Sequence, residues 1–314
     1  MTAPPIRGPG LRAALGMLIV MLTAVLATGC GSETSVEYGS ADDGSGGDGL
    51  VVYAGEGADR EILEYAVNNL LGTPIRITIK DAGDDANAKV SAGDGDLAFF
   101  QHSPAFTADT ADRGITDLSI AARVNVVPYA LYSHKWTDLR ETGSWVNTGL
   151  VADSITGTSL PHGAKVALPS TPTGFARGLY LLQSAGLVTL DRKFGGTSAQ
   201  DLTITAANVL DSARHLDVIG LSFDEFLKST YNSYDAIVLN PDQAASLGLV
   251  PATDALAVEP GPGNPYAHVL VAPSRLAGDP RVLELTRALE DPRLAGYLNR
   301  TYRGANIAAA AATS

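Results

Sequence analysis

A chain of 314 residues with 22 lysines and arginines against 34 acidic residues carries a formal net charge of −12, which argues against nucleic acid or an anionic lipid surface as a partner. A single cysteine leaves no disulfide framework, no cysteine-rich zinc cluster and no thiol nucleophile in a folded body. Neither a Gly-x-Ser-x-Gly elbow, a Walker loop nor a His-Glu-x-x-His motif occurs, and His102, His134, His162, His215 and His268 lack metal-ligand spacing, so an enzyme, a cofactor and a bound metal are not expected.

The N-terminus reads as a delivery signal. Arg7 and Arg12 precede an apolar run over residues 13–27, which is shorter than the roughly 20 residues a spanning helix needs. The run ends in Leu26-Ala27-Thr28-Gly29-Cys30, which resembles the bacterial lipobox, with Ala27 where that pattern prefers leucine. The resemblance implies a signal peptide over residues 1–29 and lipidation of Cys30, which would hold the protein on the extracytoplasmic face of the cell membrane. Residues 31–49 are Gly/Ser-rich and acidic, so residues 30–49 are expected to act as a flexible tether.

The body alternates short apolar runs with amphipathic ones. Leu50-Val-Val-Tyr-Ala54 is a strand, residues 61–71 a helix, and Ile75-Arg-Ile-Thr-Ile79 a strand. Asp96-Leu-Ala-Phe-Phe100 is a strand that ends in a polar turn, Gln101-His102-Ser103-Pro104. Residues 118–127 and 129–133 are strand-like again. A second set follows: a strand at 165–169, a helix at 175–185, and strands at 216–221 and 236–240. Strands at 255–259 and 267–272 return, and a helix or helix pair closes the chain from 280 to about 302, broken by Pro292. The pattern predicts an α/β protein of two lobes, with mainly parallel sheets flanked by helices and a ligand cleft between the lobes at the strand carboxyl ends. The boundaries predicted are 50–133 plus 241–314 for the first lobe and 134–240 for the second.

Three motifs could line a site. Pro169-Ser-Thr-Pro-Thr-Gly-Phe-Ala-Arg177 follows a strand and opens a helix, with capping hydroxyls, Pro172 in the first turn and Arg177 one turn in. That start suits a carboxylate, and Arg177 would add a bidentate fork. The same residues also describe a well-capped helix with a surface arginine. Phe99, Phe100, Gln101 and His102 would line an amphipathic pocket, or be two core rings followed by a polar turn. Asn240 ends a strand, where its amide can read a ligand or merely make a turn.

Taken together, the stretches Asp96-Leu-Ala-Phe-Phe-Gln-His102, Val127-Pro-Tyr-Ala-Leu-Tyr-Ser133, Gly163-Ala-Lys-Val-Ala-Leu-Pro169, residues 172–187, Asp235-Ala-Ile-Val-Leu-Asn240, Gly248-Leu-Val-Pro-Ala-Thr-Asp-Ala255 and Asn264-Pro-Tyr266 resemble the methionine-binding lipoproteins of the NlpA type, the solute receptors of ABC importers. The resemblance implies a type II periplasmic-binding-protein fold that closes on a free amino acid and performs no chemistry. It implies a ligand site of Phe99, Phe100, His102, Thr173, Gly174, Arg177 and Asn240, with Arg177 on the substrate carboxylate and Asn240 on the amino-acid head group. The implied partners are a small carboxylate-bearing ligand, an ABC permease and, through the lipid, the membrane; the protein would act as a monomer. Three positions depart from the family pattern, each from large to small: Gly83 and Ala105 stand in place of tyrosines, and Gly174 in place of asparagine. Phe99 replaces a tyrosine. The connection over 136–160 is longer than the family's and would cover the cleft. The departures favour a carboxylate-bearing ligand over methionine in particular. They also leave room for a second reading, an interaction or sensing lipoprotein that kept the receptor fold.

Overall fold

The computed structural model describes residues 36–38, 49–139, 159–222 and 227–310. The expected signal peptide, Cys30, most of the tether and residues 140–158 of the long connection lie outside the described residues. Among the described residues no helix is long and apolar enough to cross a membrane.

The chain opens with an edge strand, β1 (Val36–Tyr38), inside the segment expected to be a structureless tether. Val-Glu-Tyr is the one strand-prone triplet there. Then follow β2 (Leu50–Ala54), α1 (Ala58–Asn69), β3 (Ile77–Asp81), α2 (Ala86–Ala92), β4 (Leu97–His102), α3 (Ser103–Arg113) and β5 (Leu118–Val126). The chain crosses to a second sheet with β6 (Ala130–Tyr132), β7 (Lys165–Pro169), α4 (Pro172–Ser184), β8 (Val188–Leu190), α5 (Ala199–Leu202), β9 (Val209–Ser212), β10 (Asp217–Leu221), α6 (Leu227–Ser233), β11 (Ala236–Leu239), α7 (Pro241–Ser246), α8 (Pro251–Asp254) and β12 (Ala255–Val258). It returns with β13 (His268–Pro273), α9 (Pro280–Leu289), α10 (Pro292–Tyr302) and β14 (Ile307–Ala308).

The first sheet has the order β1-β3-β2-β4-β13-β5-β14 and the second β10-β7-β11-β6-β12, with β8 and β9 as a separate ribbon. The parallel ladders are β3-β2-β4 and β10-β7-β11. The strands next to the crossings run antiparallel, so both sheets are mixed rather than mainly parallel. A strand entering from the other lobe arrives from the opposite end, which reverses its direction. Because β6 and β12 pair with each other and β6 with β11, the crossings fall at residues 127–129 and from 259 on. The first lobe is thus smaller than expected: 130–133 and 241–258 belong with the second sheet.

Each sheet has its own core. Helices α1, α9 and α10 cover one face of the first through Ile62, Leu63, Leu285, Leu289 and Leu298. Helix α4 covers the second through Leu179, Leu181 and Leu182. Pro292 stands where expected, at the first position of a new helix capped by Asp291. Helices α2 and α3 are additions to the sequence reading. Gln101-His102-Ser103-Pro104 is no turn: β4 runs straight into α3, and the His102 ring caps the helix.

Candidate functional site

Arg177 lies where the two lobes are joined. Helix α4 begins at Thr171, whose hydroxyl accepts from the Gly174 amide at 3.2 Å, with Pro172 in the first turn. One turn later Arg177 falls on the buried side of the helix and is 8 % exposed. Its Nε donates to Glu259 Oε1 at 3.0 Å, and its Nη2 donates to Glu259 Oε2 at 2.5 Å and to the Val127 carbonyl at 2.9 Å. Glu259 is 1 % exposed. The guanidinium lies over the rings of Tyr129 and Tyr266, 4.0 and 4.6 Å from their centroids. Burial works against the charge of Arg177, but Glu259, by charge and hydrogen bond, outweighs it and raises the arginine pKa.

Glu259 also ties the two crossings together. Its Oε2 accepts from the Tyr129 amide at 2.8 Å, and its own amide donates to the Tyr129 carbonyl at 2.9 Å. The expected picture of Arg177 as a bidentate fork open to a ligand, or as a surface arginine, is therefore corrected. The Arg177 fork is already filled by a buried carboxylate, because an unpaired guanidinium at that depth would be costly. Only Nη1 makes no hydrogen bond among the described residues.

Strand β4 supplies the wall on the first-lobe side. Side chains alternate across a strand, so Phe99 and Phe100 face opposite ways. Phe99 is 0 % exposed in the core under α1 and α9, which corrects its expected place in the ligand site. Phe100 is half-buried and lines an open groove of about 590 Å³ with His102, Ala105, His268 and Asp84. Ala105 is one of the positions where the family pattern has a ring, and here that space is open.

His102 Nδ1 accepts from the Ala105 amide at 3.1 Å, so a neutral ring carries its proton on Nε2. Its ring meets Tyr266 edge-on at 5.8 Å and His268 at 6.2 Å. Burial, then the positive potential of His268 and Arg177, lowers its pKa to about 4. The ring is neutral at pH 7 and offers one N–H. His268 stands beside His102 in the β13–β4 ladder, and its Nδ1 lies 3.0 Å from each carboxylate oxygen of buried Asp59.

The other expected residues are only partly available. Thr173 is exposed in the first turn of α4. Gly174 is buried, and a Cβ there would stand 2.7 Å from both Pro169 Cβ and Thr171 Oγ1. The helix start leaves no room for a side chain, so the absent asparagine vacates no pocket. Asn240 caps α7: its Oδ1 accepts from the Gln243 amide at 2.8 Å, and the Gln243 Oε1 accepts from the Asn240 amide at 3.1 Å. Its Nδ2 has no partner among the described residues. No group of three or more His, Cys, Asp or Glu among the described residues could hold a metal ion.

A profile of the NlpA lipoprotein family matches residues 152–310, half of the chain. The chain belongs to the NlpA lipoprotein family. Membrane lipoprotein TpN32 of Treponema pallidum is 30 % identical over 71 % of this chain and 74 % of its own length. The D-methionine-binding lipoprotein MetQ of Yersinia pestis is 28 % identical over 80 % of this chain and 84 % of its own. A solved periplasmic substrate-binding protein of an ABC transporter from Coxiella burnetii superposes with a TM-score of 0.52 at 26 % identity, covering 82 % of this chain and 99 % of that one. The Yersinia and Coxiella proteins are named as binding proteins, and this family member has the two-lobed α/β fold and a solute-binding role.

The family stretches pointed to parts of the site whose partners the sequence left hidden. Tyr129 and Tyr266 sit in two of them, yet nothing in either stretch shows that the rings lie against Arg177. Glu259 follows the apolar strand β12, and its cation is 82 residues away along the chain. A carboxylate at the end of an otherwise apolar strand was the one available signal. Asp59 and His268 are separated by 209 residues and gave none.

Proposed function

We propose that this protein is a lipid-anchored, extracytoplasmic receptor of an ABC importer whose lobes close on an amino acid, methionine or one of similar chemistry. The observation that carries the reading is a set of polar groups left over after the fold is satisfied. Arg177 Nη1, His102 Nε2–H and Asn240 Nδ2 are donors without partners among the described residues, contributed by both lobes and held rigidly by caps and ion pairs. A ligand carboxylate would take Nη1 and the imidazole N–H, and its side chain would run along Phe100 into the groove at Ala105. The similarity to a D-methionine-binding lipoprotein and to an ABC transporter's substrate-binding protein supports the ligand class and the permease partner. The shrunken positions Gly83 and Ala105 favour the second reading, an interaction lipoprotein without transport, to the extent that they remove ring contacts from a small ligand.

A thermal-shift panel of amino acids, short peptides and organic acids on the chain from Cys30 onward separates the two. A ligand at about 100 times its dissociation constant stabilises the folded state by roughly 2.7 kcal/mol. A clear upward shift with an amino acid is expected; a flat response across the panel would support the second reading.

A further inference from the structure

We propose that Glu259 is the specificity-determining residue of this site, and that it restricts the receptor to zwitterions by cancelling the charge of Arg177. This inference rests on the receptor reading above and concerns the class of carboxylate admitted. An arginine that faced a ligand alone would give a positive site, to which any small organic anion is attracted. Here the guanidinium is held at 3.0 and 2.5 Å by a carboxylate that is itself almost fully buried. The surrounding charges are neutral or paired: His102 is neutral at pH 7, the carboxylate of Asp59 lies against His268, and Arg113 on the groove wall is held by Asp109 at 2.6 Å. A plain carboxylate placed at Arg177 Nη1 would therefore bring an uncompensated negative charge against two buried side chains, beside the charge of Glu259. An α-amino acid brings its own ammonium and leaves the balance at zero.

Glu259 is also a positioning residue. It fixes the Arg177 fork so that Nε and Nη2 point away from a ligand and only Nη1 is left to donate. Through the Tyr129 amide and carbonyl it holds the two crossing segments in one register. A zwitterion bound at Nη1 thus meets a guanidinium whose orientation is set by the joint between the lobes.

The test is a pair of calorimetric titrations, methionine and the same molecule without its amino group, on the wild-type chain and on Glu259→Gln and Glu259→Asp. The wild type is expected to favour methionine by about 30-fold or more, the scale of a charge pair in a desolvated site. Glu259→Gln keeps the size of the side chain and should bring that ratio down toward one, or below it, while Glu259→Asp retains most of the preference. Equal binding of both compounds by the wild type overturns the proposal, as does an unchanged ratio in Glu259→Gln. If Glu259→Gln fails to fold, the wild-type ratio still decides. Failure of the wild type to bind either compound overturns the receptor reading for methionine, and this inference with it.

Discussion

A guanidinium with 8 % exposure, two aromatic faces and a carboxylate fork is a structural element before it is a ligand contact. Replacing Arg177 with alanine leaves Glu259 buried without a cation, and breaking such a pair costs about 3–5 kcal/mol. Arg177→Ala should lower the melting point sharply in a calorimetric scan, whereas the double variant Arg177→Met/Glu259→Leu should regain most of the loss. A melting point within a degree of wild type for Arg177→Ala would contradict the pairing. His102 gives a second residue-scale test. Its folded-state pKa near 4 lies below the value of about 6.5 for a free imidazole, so the unfolded chain binds the proton more readily. The contribution of this neutral ring is complete above about pH 6.5 and is lost as pH falls toward 4, on the order of 2–3 kcal/mol. His102→Asn keeps a capping acceptor but no titration, so its denaturant midpoint should fall less between pH 6.5 and 4 than that of the wild type. At this scale the sequence was a partial guide. The capped start of α4 with Arg177 one turn in, and Asn240 as a polar residue ending β11, were legible from their motifs. Phe99 was misplaced because two adjacent aromatics cannot both face a ligand from one strand, and Glu259 was hidden because its partner is distant in the chain.

Helix α4 shows how one element sets the geometry of the site. Its start is crowded: Pro169, Thr171 and Gly174 close a turn in which the glycine has no space for a Cβ. Gly174→Asn, which restores the residue of the family pattern, should therefore destabilise the chain by about 1–3 kcal/mol rather than add a ligand contact. Denaturant unfolding measures this; a neutral or stabilising effect would show that the turn relaxes freely. The strongly patterned elements, from β2 and α1 to β11 and the pair α9 and α10, could be read from their periodicity and from Pro292. Helix α3 could not. Only Ser103 and Phe106 of its residues are buried, so it carries almost no apolar stripe, and it begins on a histidine cap, which no common capping rule anticipates.

On the scale of the whole molecule, the two crossings carry the account. The α/β class and the two lobes were legible because strands and helices alternate twice and then return. The crossing points were not, since 130–132 and 255–258 look like any other strands until their partners are known. Once paired, they bring Val127, Tyr129 and Glu259 to one joint, and α4 brings Arg177 to the same place. That joint is where a bound ligand would couple to closure of the lobes. The most direct test of the receptor account is isothermal titration of the chain from Cys30 onward with the common amino acids, methionine first. Saturable one-to-one binding of at least one of them is expected, abolished by adding the same amino acid beforehand. No measurable heat with any amino acid, from protein shown to be folded, would contradict it.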